Sequence, residues 1–465
     1  MPRYYTTYAI SGLGDGPNPP VGFSHVPRLS LCSASQLLRC SGGQSGEIDK
    51  RCRRGFNVTM MRVEFSLRLV VRTLCAAMAL CSGMSCAPKP PAQKKVAEKP
   101  PLQNPPAVQW TRSLVGAEEA GGARVEQTRD GGFVVAGWTD SALGAEKAYL
   151  VKLDGSGSVQ WQRVFGYQSG DLRLNSARQD SAGGYIIAGR ATQDDYQYPY
   201  LAKTDSAGVV LWQRVDSGLV TGSATEALEL PGGDIIAAAI SNCGSDSDIV
   251  IHRTDHNGNT RWRRRVRLAT GCPGAPDLSM CRTSNGGLVL ACGTVDHALW
   301  LARLDSLGSV AWADSYPGQH MGGARSLDVT GDGGIVVAGI GSSATDPDDP
   351  STIYLARFNS TGGLQWKHDF GGPDIDGGWS VQTTSDGGFV VAGGSVRPDS
   401  SDNAYVVKTN SAGDAAWVWS YGTTWGEEAV CVRQTSDGGF VVASLGGDLT
   451  TDLRVLIIKL APPSR

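Results

Sequence analysis

Charge is sparse in this chain of 465 residues and aromatics are few, at 19% and 7% of positions. No sustained helical periodicity follows residue 108, which excludes an architecture built on amphipathic helices. The common catalytic signatures are missing too: there is no HExxH, no phosphate-binding glycine loop, no Ser-His-Asp ordering and no Cys-Cys dipeptide. His252, His256, His297, His320 and His368 are scattered over different units, the pattern of solvated or packed histidines rather than of a site. A basic footprint is also lacking. Residues 86–465 carry a formal charge of −9, which disfavours sequence-independent phosphate binding and hence a nucleic-acid partner. One local exception is Arg261, Arg263, Arg264, Arg265 and Arg267 around Trp262, which reads as the solvent face of one outer strand.

Glycine is plentiful instead, with 61 residues, and it is periodic. A glycine pair opening an apolar run recurs at Gly131-Gly132, Gly183-Gly184, Gly232-Gly233, Gly286-Gly287, Gly333-Gly334, Gly387-Gly388 and Gly438-Gly439, spaced by 52, 49, 54, 47, 54 and 51 residues. Such spacing marks a repeat architecture in which each unit is one supersecondary element. Each unit offers four strand-length runs: a mixed run, an unalternating apolar run after the glycines (FVVAG at Phe133, YIIAG at Tyr185), an alternating run (AYLVKLD, IYLARFN) and a run centred on tryptophan. Lack of alternation predicts burial of the second run on both faces. Between the third and fourth runs sits Asp-x-x-Gly or Asn-x-x-Gly, as at Asp154–Gly157 and Asn410–Gly413, whose acid or amide caps a turn that glycine completes.

The tryptophans indicate closure. Trp161, Trp212, Trp262, Trp312, Trp366 and Trp417 each follow a turn glycine by four residues, and Trp110 precedes the first glycine pair. The seventh unit ends in VLIIKLAPPSR without a tryptophan strand, so the strand around Trp110 can complete it. The expected fold is therefore an all-β, seven-bladed β-propeller of four-stranded antiparallel blades, closed by the N-terminal Trp110 strand. A linear β-solenoid gives no reason for complementary chain ends.

The N-terminal quarter reads differently. Residues 61–85 have a basic start and an apolar stretch from Thr73 to Met84, too short for a comfortable membrane span but laid out as a signal peptide. Cys86 follows, then a Pro/Lys-rich tether over 86–107 and the propeller over 108–465. Signal, cysteine, tether and folded body in that order resemble a bacterial lipoprotein. That resemblance implies lipidation of Cys86, and Ala87 after it is similar to the outer-membrane sorting pattern. Ordinary signal cleavage and no export are the alternatives. Residues 1–60 are expected to be an over-extended reading frame or a disordered leader. The expected location is the bacterial cell envelope, as an outer-membrane lipoprotein or a secreted protein.

The frame of apolar strand, alternating strand and Asp-x-x-Gly-x-x-x-Trp resembles the repeat of pyrroloquinoline-quinone-type propellers, in which Asp, Gly and Trp staple neighbouring blades. The turn here is one residue shorter. DGGFVVAG followed by KTDSAG and a tryptophan strand is similar to uncharacterised repeat propellers of secreted bacterial proteins. The quinone enzymes of that superfamily need a cofactor-stacking and calcium-binding constellation that does not stand out here, so no cofactor and no metal are expected. The sialidase-type Asp-box is not matched either.

Alternate turns of an up-and-down blade share a face, so the short glycine turns lie on one side and the longer variable loops on the other. Recognition residues concentrate on such loops. That face is expected to collect Trp138, Tyr196, Tyr198, His320, Trp379, Arg397 and Trp425 as ligand-binding candidates, with interblade packing of the tryptophans as the other reading. Cys243 and Cys272 fall in loops of that face within one unit and could form a disulfide, other pairings or free thiols remaining open. The leading expectation is a monomeric, lipid-anchored binding scaffold without catalysis, its partner an envelope protein or a glycan, with the lipid anchor as its only membrane contact. The alternative is an envelope hydrolase or quinone-type oxidoreductase with acidic side chains at the central opening. Clustered Asp and Glu there would favour the enzyme, an apolar aromatic rim the scaffold.

Overall fold

A computed structural model describes residues 104–114, 120–139, 146–167, 170–193, 196–216, 223–241, 248–268, 278–294, 296–341, 352–371, 376–396, 402–422, 426–446 and 454–463. Strand β1 (Val108–Leu114) comes first. Blade 1 follows as β2 (Ala120–Gln127), β3 (Phe133–Thr139), β4 (Lys147–Leu153) and β5 (Val159–Phe165), and blade 2 as β6 (Leu172–Gln179), β7 (Tyr185–Gln193), β8 (Tyr196–Thr204) and β9 (Val210–Val215). Blade 3 comprises β10 (Ser223–Glu229), β11 (Ile235–Ser241), β12 (Asp248–Thr254) and β13 (Thr260–Arg267), and blade 4 β14 (Leu278–Arg282), β15 (Leu288–Gly293), β16 (Leu299–Leu304) and β17 (Val310–Tyr316). Blade 5 comprises β18 (Gly323–Val329), β19 (Ile335–Gly341), β20 (Thr352–Phe358) and β21 (Leu364–Phe370), and blade 6 β22 (Asp376–Thr383), β23 (Phe389–Val396), β24 (Asp402–Thr409) and β25 (Ala415–Tyr421). Blade 7 holds β26 (Glu427–Gln434), β27 (Phe440–Gly446) and β28 (Arg454–Leu460).

Every blade is a four-stranded antiparallel sheet, and β1 supplies the fourth strand of blade 7 in the order β1-β28-β27-β26. The first strand of each blade contacts the first strands of both neighbours, β26 meeting β2 across the seam, so the inner strands ring a central opening. The chain is a seven-bladed β-propeller.

The second run of each unit is buried on both faces because it lies between two blades. In β3, Phe133 and Val135 pack with Cys431, Val441 and Ile457 of blade 7, while Val134 and Ala136 pack with Leu172, Leu174 and Tyr185 of blade 2. Six of the seven glycine pairs divide their labour, the exception being Gly232-Gly233, where Gly233 makes the turn and Asp234 follows it. Gly131 takes φ +80 in open space, whereas a Cβ on Gly132 would sit 2.3 Å from the Leu153 carbonyl oxygen. The first glycine makes the turn and the second lets the third strand's carbonyl approach.

The Asp-x-x-Gly turns behave as capped hairpins. Asp154 Oδ1 accepts from the N–H groups of Ser156 and Ser158, both at 2.9 Å, and Asn410 Oδ1 accepts from Ala412 at 2.9 Å and Asp414 at 3.0 Å. Each turn glycine also receives the tryptophan of the preceding blade. A Cβ on Gly157 would lie 2.8 Å from the Trp110 ring, one on Gly208 2.7 Å from Trp161, and one on Gly308 2.5 Å from Trp262. Trp110 is further set edge-on against Phe133 at 5.6 Å, as Trp161 is against Tyr185 at 5.7 Å. The same staple therefore joins neighbours inside the chain and across the seam between its ends.

Candidate functional site: the ring centre and the loop face

The glycine-pair and Asp-x-x-Gly turns share one face, and the connections from second to third strands and from blade to blade share the other. Of the residues expected on that loop face, Trp138 lies near the end of β3, Tyr196 and Tyr198 at the start of β8, and Trp379 within β22. They belong to strands near the loops rather than to the loops themselves. Arg397, Trp425, Cys243, Cys272 and Cys86 lie outside the described residues.

Both described tryptophans bridge blades. Trp138 covers Gly121 and Gly122, where a Cβ on Gly121 would fall 2.5 Å from its ring. The Arg173 guanidinium of blade 2 stacks over the ring at 4.2 Å and ion-pairs with Glu146. Trp379 carries Arg325 of blade 5 at 4.7 Å over its ring and donates its indole N–H to Glu428 of blade 7. Sequence reasoning missed Arg173 and Arg325, because each sits on an inner strand remote in sequence from the ring it covers. Tyr196 is 50% exposed, the most open of these aromatics, and Tyr198 is half-buried. His297 and His320, on the same side, both adopt left-handed φ, 56° and 53°, a region histidine enters more readily than most side chains.

The ring centre is polar and charged, but its carboxylates are paired. Arg433 Nε donates to Glu126 at 2.9 Å across the seam, and its Nη1 donates to Ser380 Oγ at 3.0 Å. Arg178 approaches Glu126 at 3.9 Å and Glu226 at 2.5 Å, and Glu226 also accepts the Met280 N–H at 3.1 Å. Burial pushes both glutamates up, yet the neighbouring guanidinium groups, Arg433 and Arg178 for Glu126 and Arg178 for Glu226, hold them below the ordinary range. Asp328 accepts from the Thr383 N–H at 2.8 Å and from the Cys281 thiol at 3.5 Å. Burial first, and then the Asp328 charge, push that thiol up to about 12, which leaves it an inert thiol at neutral pH.

Serines one step along the inner strands repeat a single bond. Ser279, Ser326 and Ser380 accept the backbone N–H of Leu327, Val381 and Val432 of the next blade at 3.2, 3.0 and 3.3 Å, and Glu226 takes the same role toward Met280. Gln127 accepts from the Ser436 N–H at 2.8 Å across the seam, as Gln434 does from Ser385 at 2.7 Å. These bonds make the centre a structural hub. Carboxylates fixed in ionised form by guanidinium and backbone donors are poorly suited to deliver a proton.

A second charged device serves the glycine turns. Lys152, Lys408 and Lys459 are nearly buried on the third strands and reach Asp130, Asp386 and Asp437 at 2.9, 2.8 and 2.9 Å. Each ammonium also donates to a backbone carbonyl, that of Leu153, Thr409 or Leu460. In blade 2 Asp180 takes over as partner of Lys203 at 3.0 Å, and in blade 3 Asp234 as partner of Arg253 at 2.9 Å.

One cavity of about 40 Å³ lies between blades 2 and 3, lined by Pro199, Arg214, Asp216, Val250, His252 and Arg263. It has room for water but not for a sugar or cofactor ring. Burial and the Arg263 charge push His252 there down to about 4, so it is neutral at physiological pH.

No family model matches the chain, and no curated protein matches it. Among solved structures, the BP39L lectin from Burkholderia pseudomallei is similar at 12% identity and a TM-score of 0.50, the match covering 73% of this chain and 97% of the lectin. A Dyadobacter fermentans protein of unknown function is similar at 11% identity and 0.46, over 76% of this chain and 99% of that one. The polysaccharide lyase Uly1 follows at 10% identity and 0.47, over 75% and 91%. At these identities the likeness is one of fold.

Proposed function

We propose that this propeller is a non-catalytic binding scaffold of the bacterial cell envelope, held by a lipid on Cys86, that takes a protein or a surface glycan on its loop face. The observation that carries the reading is the contrast between its two polar regions. At the centre, Glu126 and Glu226 are held by Arg433 and Arg178, which suits a hub and not an acid–base pair. On the loop side, Tyr196 stands exposed beside Tyr198, and tryptophan–arginine stacks stiffen the blades beneath. Exposed aromatics on a rigid frame are what protein and glycan contacts use. A fold shared with a lectin is compatible with a glycan, and the lipoprotein-like order around Cys86 is the basis for placing the chain at the envelope.

The test is co-purification of the full chain from its native envelope through a tag after Arg465, together with binding to a glycan array, for the parent and for Tyr196→Ala with Tyr198→Ala. A defined ligand retained by the parent and lost by the variant supports the reading. Turnover of a glycan or a quinone-linked substrate, abolished by Glu226→Gln, overturns it and moves the site to the ring centre.

A further inference from the structure

The outer strand of blade 3 differs from its six sisters. Strand β13 carries Arg261, Arg263, Arg264, Arg265 and Arg267, whereas β1, β5 and β9 carry one arginine each, β21 one lysine, and β17 and β25 neither. The arginine two residues after the tryptophan has a shared structural use: Arg112 donates to the Gly157 carbonyl at 2.7 Å and Arg214 to that of Gly258. Arg264 occupies this register. Arg261, Arg263, Arg265 and Arg267 are extra; Arg263, Arg265 and Arg267 alternate on one face of the strand, and Arg261 stands at the bulge where Thr260 and Trp262 pair with consecutive residues of β12. Protection of an exposed sheet edge does not account for them, since the sister edges do without.

These side chains are exposed. Arg261, Arg263 and Arg265 are 57, 42 and 66% exposed, with Asp234 at 3.7 Å, Asp216 at 2.9 Å and Asp248 at 3.7 Å at their sides. Each guanidinium has five N–H donors, so one carboxylate leaves most of them for another acid. Arg267 is exposed and pairs with no carboxylate among the described residues. Arg263, Arg265 and Arg267 are about 6.8 Å apart along the strand, a row of about 14 Å with Arg261 at its bulged end.

We infer that β13 binds a linear acidic polysaccharide laid along the strand, its carboxylate or sulfate groups received in turn by Arg261, Arg263, Arg265 and Arg267. A row is the right shape for an extended chain carrying an acid on every sugar or two. Duplex nucleic acid, with a charge per roughly 1.7 Å, would set a far denser anion against a body of charge −9. An anionic membrane would call for apolar side chains between the arginines. On β13 those places hold half-buried Trp262, which packs on Gly308, Arg264, which lies over that ring, and buried Val266. This surface lies on the outer wall and is separate from the loop face.

The test measures binding of the full chain to alginate at about 50 mM salt and at rising salt, with Arg261→Gln, Arg265→Gln and Arg267→Gln combined as the variant and Arg163→Gln on β5 as control. Alginate binding that weakens with salt, falls roughly tenfold or more in the triple variant and survives in the control is the expected result. If the triple variant does not keep the parent's melting temperature, Arg265→Gln with Arg267→Gln is measured instead, with a smaller loss expected. No alginate binding, or binding unmoved by these substitutions, overturns the inference. So does tighter arginine-dependent binding to a polynucleotide or to phosphatidylglycerol vesicles run in parallel.

Discussion

Replacing Trp110 by alanine tests how the ring is shut. Trp110 is half-buried, meets Phe133 edge-on at 5.6 Å and lies against Gly157 of blade 1, to whose carbonyl Arg112 donates at 2.7 Å. Truncating a fully buried aromatic costs about 3–5 kcal/mol, and half burial brings this to about 2 kcal/mol, including about 1 kcal/mol for the lost ring pair. Trp161→Ala is the matched comparison, because Trp161 makes the same contacts with Tyr185 and Gly208 inside the chain. Both variants should lower the denaturant midpoint by similar amounts. They should differ in limited proteolysis. Strand β1 is held by its ladder to β28 and by this staple, so Trp110→Ala should open residues 104–114 to cleavage before global unfolding, while Trp161→Ala should not. An unchanged midpoint for Trp110→Ala together with unchanged protection of residues 104–114 would refute the staple.

Other expectations follow from the charged devices. Asp130 and Asp386 sit at about 2, because hydrogen bonds from Thr128 and Lys152, and from Lys408 and Thr384, outweigh the upward push of burial. With the folded value below the unfolded one, their contribution is complete above about pH 4 and lost as pH falls toward 2, and Lys152→Met with Lys408→Met should flatten that part of a stability–pH curve. Each half-exposed pair should contribute about 1 kcal/mol or less at neutral pH, measured by urea unfolding. Glu126→Gln strands the nearly buried Arg433 charge at the seam and should cost about 3 kcal/mol, whereas Glu126→Leu combined with Arg433→Met should recover most of it; a single variant as stable as the parent contradicts the hub. Cys281 should resist iodoacetamide at pH 8 in the folded protein and react after denaturation, as peptide mapping would show.

The propeller was legible because its devices repeat. Capped Asp-x-x-Gly or Asn-x-x-Gly turns and tryptophans each keep one register in every complete unit, glycine pairs do so outside blade 3, and the missing tryptophan strand of the last unit matches the spare Trp110 strand. The lysine–aspartate pairs left a trace that was readable but easily passed over: Asp130 and Lys152, Asp386 and Lys408, and Asp437 and Lys459 are each 22 residues apart. The ring centre left none. Its equivalent inner-strand positions hold Glu126, Arg178, Leu228, Cys281, Asp328, Gln382 and Arg433, so only arginine recurs, twice in seven, and partners come from different blades. Strand order alone says which connections share a face, but the stacking of Arg173 on Trp138 and of Arg325 on Trp379 depends on which inner strands are neighbours, which closure alone determines.

The most direct test of the scaffold reading is photocrosslinking in the native envelope from a benzophenone amino acid at Tyr196, compared with the same group at Val164 on the outer wall, both exposed positions. The account predicts a discrete adduct from Tyr196 that Val164 does not give. Identical adducts from both positions, or none from Tyr196, would contradict it.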